Sequence, residues 1–166
     1  MLIGCVGVDY ATERTNVPMS PRIAAAAPSD RDAIIALLAE QFREHRIDLE
    51  RESLAAAVEG LIANGGRGFI LLARESGPPF GVACVSFTWT LEHGGRSAWL
   101  DELYVTPESR GRGTGKALLD EVLRRCRDAG CAAVDLEVDA DHSRAANLYS
   151  REGFEPLPRR RWVKAL

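Results

Sequence analysis

The sequence predicts a mixed α/β fold: a mostly antiparallel central sheet with one parallel strand pair and flanking helices. Three β-rich segments in succession, broken by Gly and Pro, read as an antiparallel meander. The helix after them runs at once into an alternating apolar segment, a strand-helix-strand order that makes the flanking strands parallel. Two helical patterns precede the meander. The order is β-α-α-β-β-β-α-β-α-β, with no internal repeat or linker, and 166 residues suit one domain over residues 21–166.

Residues 1–20 carry no sustained period and read as an N-terminal extension, with Met19 as the natural start. A strand over Arg22 to Ala27 ends at Pro28-Ser29-Asp30, where Ser29 or Asp30 can cap a helix with Ile34, Leu37, Leu38 and Phe42 at helical spacing. A polar link, His45 to Leu49, leads to a helix over Glu50 to Ala63, ended by Asn64-Gly65-Gly66. The meander comprises Phe69 to Glu75, Gly81 to Leu91 and Ser97 to Val105. Leu118, Leu119, Val122, Leu123 and Cys126 stripe one face of the next helix, which stops at Gly130. The parallel strand spans Ala133 to Asp139, and a helix capped by Asp141 or Ser143 runs through Arg151 to Gly153. A last strand is expected near Arg160 to Val163.

Charge narrows the function. The 21 basic and 24 acidic residues give a formal charge of -3, which argues against nucleic acid as partner and makes a cationic small molecule the easier one. The four cysteines form no C-x-x-C pair, no apolar run approaches a membrane span, and no Lys or Arg precedes Arg14 to make residues 1–10 a signal peptide. A cytoplasmic location without membrane contact is the expectation. Cys84 and Cys131 read as strand residues and Cys126 as part of the helix stripe, so packing is their expected role. His45, His93 and His142 lie far apart in sequence without paired ligand spacing, so no metal is expected.

The most informative stretch is Arg110-Gly111-Arg112-Gly113-Thr114-Gly115-Lys116, between a strand and a helix. Unsatisfied N–H groups at a helix N-terminus attract anions, and glycines let a diphosphate approach the backbone. A Walker loop fails because Arg110 holds the first glycine position and Ala117 replaces the magnesium-binding hydroxyl. A dinucleotide fingerprint fails because Lys116 stands where its last glycine belongs.

Arg110-x-x-Gly113-x-Gly115, after L-Y-V-x-P and before K-A-L-L, resembles the [QR]-x-x-G-x-[GA] pyrophosphate motif of the GNAT superfamily of N-acetyltransferases. Ala145-x-x-Leu148-Tyr149-x-x-x-Gly153-Phe154 resembles its second signature. The resemblance implies the acyl-CoA N-acyltransferase fold, in which the parallel pair splays apart. It also implies acetyl-CoA as donor, with its diphosphate on the N–H groups from Arg110 through Lys116 and its pantetheine arm along Leu103, Tyr104 and Val105. The family's leading Asn is His142 here, kept as a donor-site candidate beside the reading of a solvent-exposed turn residue. Family members often pair, so a homodimer is expected.

Acyl transfer to an amine poses two proton problems. Presenting an alkylamine of pKa about 10.4 neutral at pH 7 costs about 4.6 kcal/mol, so a base must take its proton. The departing thiolate needs an acid, and Tyr149 is the candidate because the family places this tyrosine beside the thioester. Its alternative is packing with Leu148. Glu102 is the candidate base. In a regular pleat Asp101 shares the side of Leu103 and Val105 while Glu102 shares that of Tyr104, so only one carboxylate faces the acceptor, and a bulge could exchange them.

Asp135, Glu137 and Asp139 either hold a cationic amine or pair with arginines. The link His45 to Leu49 would shape the acceptor site, with Phe87, Trp89 and Trp99 as aromatic walls. The segments Phe87-Thr88-Trp89-Thr90 and Leu100 to Val105 are similar to the polyamine and thialysine acetyltransferase branch. The expected function is transfer of an acetyl group from acetyl-CoA to a primary amine of a small cationic acceptor in a ternary complex. The alternatives are acetylation of a protein or peptide amine, and a non-catalytic acyl-CoA-binding sensor.

Overall fold

A computed structural model describes residues 21–165. The extension over residues 1–20 and the start at Met19 therefore lie outside the described residues. The strands β1 (Arg22–Ala25), β2 (Gly68–Arg74), β3 (Gly81–Thr90), β4 (Gly95–Val105) and β5 (Val134–Leu136) form one sheet in the order β1-β2-β3-β4-β5. The pairings from β1 to β4 are antiparallel and β4–β5 is parallel. The helices are α1 (Arg31–His45), α2 (Arg51–Ile62), α3 (Thr114–Asp128) and α4 (Ser143–Arg151).

The two-residue period of the strands divides the core. Ile70, Leu72, Val82, Cys84 and Tyr104 meet Ile34, Leu38, Leu54 and Val58 of α1 and α2 on one face. Leu71, Ala73, Ala83 and Val85 meet Leu118, Leu119 and Val122 of α3 on the other, where Tyr149 of α4 joins them. Covered on both faces, β2 reads as the unbroken apolar run Phe69-Ile70-Leu71-Leu72-Ala73. Asp30 caps, but not α1: its carboxylate accepts the Ala27 N–H at 2.8 Å and closes a 3₁₀ turn over Pro28–Asp30.

Two expectations need correction. Residues 160–163 do not form a strand. Pro156 and Pro158 bring no N–H to a ladder, and the tail is held through side chains, Arg159 on Glu92 at 2.8 Å and Arg161 on Glu137 at 2.6 Å. The parallel strand is also shorter than Ala133 to Asp139, because its ladder with β4 ends at Leu100–Leu136. Cys131 consequently lies in the turn before β5 rather than in a strand.

Candidate active site

The site begins with an irregularity in β4. Cys84 of β3 stands opposite Glu102 while the next residue, Val85, stands opposite Leu100, so Asp101 is the extra residue of a β-bulge. Ala98, Leu100, Leu103 and Val105 all join the core on the α3 face. Glu102 lies on the α1 face, where the Gln41 amide donates to it at 2.5 Å. Asp101 accepts a hydrogen bond from Ser86, which shares the face of Cys84. The bulge therefore puts both carboxylates on one face, correcting the expectation that only one could be there.

This crowding sets the charge states. Burial, with the neighbouring Asp101 charge added, pushes the Glu102 carboxyl up to about 7 against the Gln41 hydrogen bond that favours its ionised form. Burial also raises Asp101, opposed by Ser86 and Arg161. Gln41 is buried, and its carbonyl oxygen has no hydrogen-bond partner among the described residues. Tyr149, 9% exposed, packs edge-on against Phe154 with ring centroids 5.6 Å apart. Burial and then the Glu102 charge push its hydroxyl up to about 12. The two groups thus approach from opposite faces of the sheet, one from the α1 side and one from the α3–α4 side.

The ladder between β4 and β5 is short. Pairing with β5 stops at Leu100, yet β4 runs on to Val105, so Leu103, Tyr104 and Val105 lie along an edge that β5 does not cover. Below that edge comes the glycine turn. Gly111 and Gly113 take φ 81 and φ 83, a left-handed backbone that other residues adopt only with strain. From Gly111 through Gly113, Thr114 and Gly115 to Lys116, no N–H finds a backbone acceptor among the described residues. Arg110 is the exception, its N–H bonding the Pro107 carbonyl at 3.3 Å.

The cations are less free than expected. Arg110 donates through Nε to the Val105 carbonyl at 2.8 Å and through its terminal nitrogen to Glu44 at 2.7 and 3.0 Å, while Tyr104 donates its hydroxyl to Glu44 at 2.8 Å. Partial burial would raise the Glu44 carboxyl, but these hydrogen bonds outweigh it and hold the group below its ordinary value. Lys116 is tied to Asp120 at 2.8 Å and Glu152 at 3.1 Å. Arg112 has no hydrogen-bond partner among the described residues, and neither does Arg144, whose guanidinium lies 3.7 Å from where a Cβ on Gly111 would be. Arg144 escaped the sequence reading. The available signal was a cation in the first turn of a helix, where the dipole disfavours it.

Farther back along β4, Trp99 and Ser97 alternate with the α3-facing Ala98 and Leu100, and Arg161 lies over the Trp99 ring at 5.6 Å. Phe87 belongs to the opposite face, packed on Phe69 and under Arg96 at 4.0 Å, and Trp89 shares its side of β3. These two are therefore not walls of the same site. Asp135 is bonded to His93 at 2.9 Å and Glu137 to Arg161, so pairing wins over a free acidic patch. His142 stands at the N-cap of α4 without a capping side-chain hydrogen bond, its ring 4.7 Å from that of His45. The histidines expected to lie apart are thus adjacent in this pair. A cavity of about 280 Å³ near Cys126, Cys131 and Phe154 lies toward the far end of α3, and burial raises both thiols, Cys126 to about 12.

A bulged strand carrying a half-buried carboxylate, a strand edge that β5 leaves uncovered and a helix-opening glycine turn are the three parts of the candidate site. The chain belongs to the acetyltransferase (GNAT) family, whose model matches residues 31–154. Among curated relatives, a mycothiol acetyltransferase of Pseudarthrobacter chlorophenolicus is 36% identical over 133 residues, covering 75% of this chain and 39% of the relative. A mycothiol acetyltransferase of Arthrobacter sp. (strain FB24) is 42% identical over 93 residues, 52% of this chain and 27% of the relative. The chain spans less than half the length of these relatives. Their names redirect the similarity away from the polyamine and thialysine branch. Among solved structures, an integron cassette protein from the Cole Harbour Salt Marsh metagenome aligns with TM-score 0.77 at 28% identity, covering 87% of this chain and 90% of that one. No helix among the described residues is long and apolar enough to cross a membrane.

Proposed function

We propose that the chain moves an acetyl group from acetyl-CoA directly to a primary amine of a small cationic acceptor in a ternary complex, with Glu102 as base and Tyr149 as proton donor to the thiolate. The observation that carries this reading is the Glu102 carboxylate, lifted to about 7 on a bulge beside the uncovered edge of β4. A base with that pKa is half ionised near neutrality and still basic enough to draw a proton from an ammonium through water. The donor diphosphate rests on the free N–H groups from Gly111 to Lys116, aided by Arg112 and Arg144. The pantetheine arm pairs along Leu103, Tyr104 and Val105, bringing the thioester into the gap. Arg110 works indirectly, fastening the turn to Glu44 and Val105. His142, whose ring lies 4.7 Å from that of His45, stays a donor-site candidate.

Calorimetric titration with acetyl-CoA, followed by thiol release against spermidine, lysine, kanamycin, a peptide amine and a mycothiol precursor amine, tests the reading. The last acceptor enters because the curated relatives are named for mycothiol. Initial-rate lines that intersect support a ternary complex, and parallel lines overturn it. Binding without release on any amine supports the sensor instead. We also read the chain as a homodimer that covers the exposed Leu157, Trp162 and Val163; a monomeric sedimentation coefficient at micromolar concentration removes that element.

Arg110→Ala and Glu44→Ala are each expected to weaken acetyl-CoA binding by roughly twofold to tenfold, the range for a partly exposed charge-assisted pair. Their effects should not add, since each removes the same fastening. Titration of both single variants and the double variant checks this. Gln41→Leu removes the donor that favours ionised Glu102, so the acid limb of the pH-rate profile should shift to higher pH. Activity at pH 7 should fall about threefold and return by about pH 8.5. Loss of activity at every pH would instead mean that Gln41 only supports packing.

A further inference from the structure

We propose that His45, Asp139 and His142 form a binding site for one divalent transition-metal cation of the zinc type, joining the end of α1 to the start of α4. The residues come from three places: His45 ends α1, Asp139 follows β5, and His142 immediately precedes α4. The two imidazole centroids are 4.7 Å apart with the rings tilted by 55°, and Nδ1 of His142 lies 3.9 Å from Oδ2 of Asp139. One ligand atom from each of the three residues fits within a mutual distance of 4.8 Å. Two ligands on a cation at about 2.1 Å stand at most about 4.2 Å apart. Small side-chain rotations therefore close the set.

The donor types choose the cation. Neither imidazole makes a side-chain hydrogen bond among the described residues, so each neutral ring keeps a nitrogen lone pair to offer. Two nitrogens with a single carboxylate suit zinc, nickel, copper or ferrous iron, whereas magnesium and calcium require a shell of oxygens. Three protein ligands leave the fourth tetrahedral position to water or to an atom of the acceptor. Bound there, the cation ties the link after α1 to the link before α4. His142 precedes Tyr149 by two helical turns, about 10 Å along the axis.

The test is calorimetric titration of the chelator-stripped full chain with ZnCl₂, repeated on His45→Asn, His142→Asn and His93→Asn. His142→Asn installs the residue of the family's own pattern, and circular dichroism reports whether each variant keeps its fold. The expected result is one zinc per chain with Kd at or below about 10 µM, weakened more than about 30-fold by His45→Asn and by His142→Asn and unchanged by His93→Asn. Substitution with Co²⁺ should give d–d absorption without a thiolate charge-transfer band. Absent saturation, affinity preserved in folded His45→Asn and His142→Asn, or a thiolate band placing the ion on cysteines would each overturn the proposal. None of these readouts depends on acetyl transfer.

Discussion

Glu102→Gln is expected to lower kcat by about 100-fold or more at pH 7, the lower end of what a positioned base contributes, with acetyl-CoA affinity nearly unchanged. In the native protein the rate should rise with pH through about 7 as Glu102 loses its proton. In the variant that limb should vanish. An unchanged profile would transfer the role to Asp101, which the bulge places on the same face, and Asp101→Asn would then show the loss. Stability should move the other way. The folded carboxyl holds its proton to about pH 7 while the unfolded one releases it near 4.5, so between those values the folded state binds more protons and loses stability as pH rises. Glutamine carries no such penalty. Thermal unfolding at pH 8 should show the variant more stable by up to about 3 kcal/mol, with the difference gone below about pH 4.5.

Tyr149→Phe is expected to lower kcat at least about tenfold while the Kd for acetyl-CoA stays within about twofold. The phenylalanine keeps the contact with Phe154 and the core on the α3 face, so packing is preserved and only the hydroxyl is lost. With its pKa pushed to about 12, that hydroxyl stays protonated at neutral pH, as the proposed role of proton donor to the thiolate requires. A wild-type kcat in Tyr149→Phe would return the residue to a packing role. Tyr149→Ala gives no such separation, since it opens a cavity among buried side chains.

Much of this was legible because it is local. Leu118, Leu119, Val122 and Cys126 announce α3 by their spacing, and the meander follows from β-rich segments between turn-forming breaks. Gly111 and Gly113 announce the turn before α3, because their left-handed backbone suits glycine. The last strand failed because Arg160 to Val163, which follows Pro156 and Pro158, joins no ladder and is held by side-chain pairs instead. Phe87 and Trp89 misled as acceptor walls because aromatic type does not tell which side of β3 faces Glu102.

By itself, then, the sequence determined the element order as far as α4 and the family, both of which rest on periodicity and short spacings. The tertiary structure alone decided which charges are free. Arg110 meets Glu44 across 66 residues, Gln41 meets Glu102 across 61, and His45 reaches His142 only because α1 and α4 converge. It also decided that Asp101 and Glu102 face the same way, since a bulge is a mismatch between two strands and cannot be read from either one. Burial, which lifts Glu102 into the working range of a base, is likewise a property of what surrounds a residue rather than of the residue.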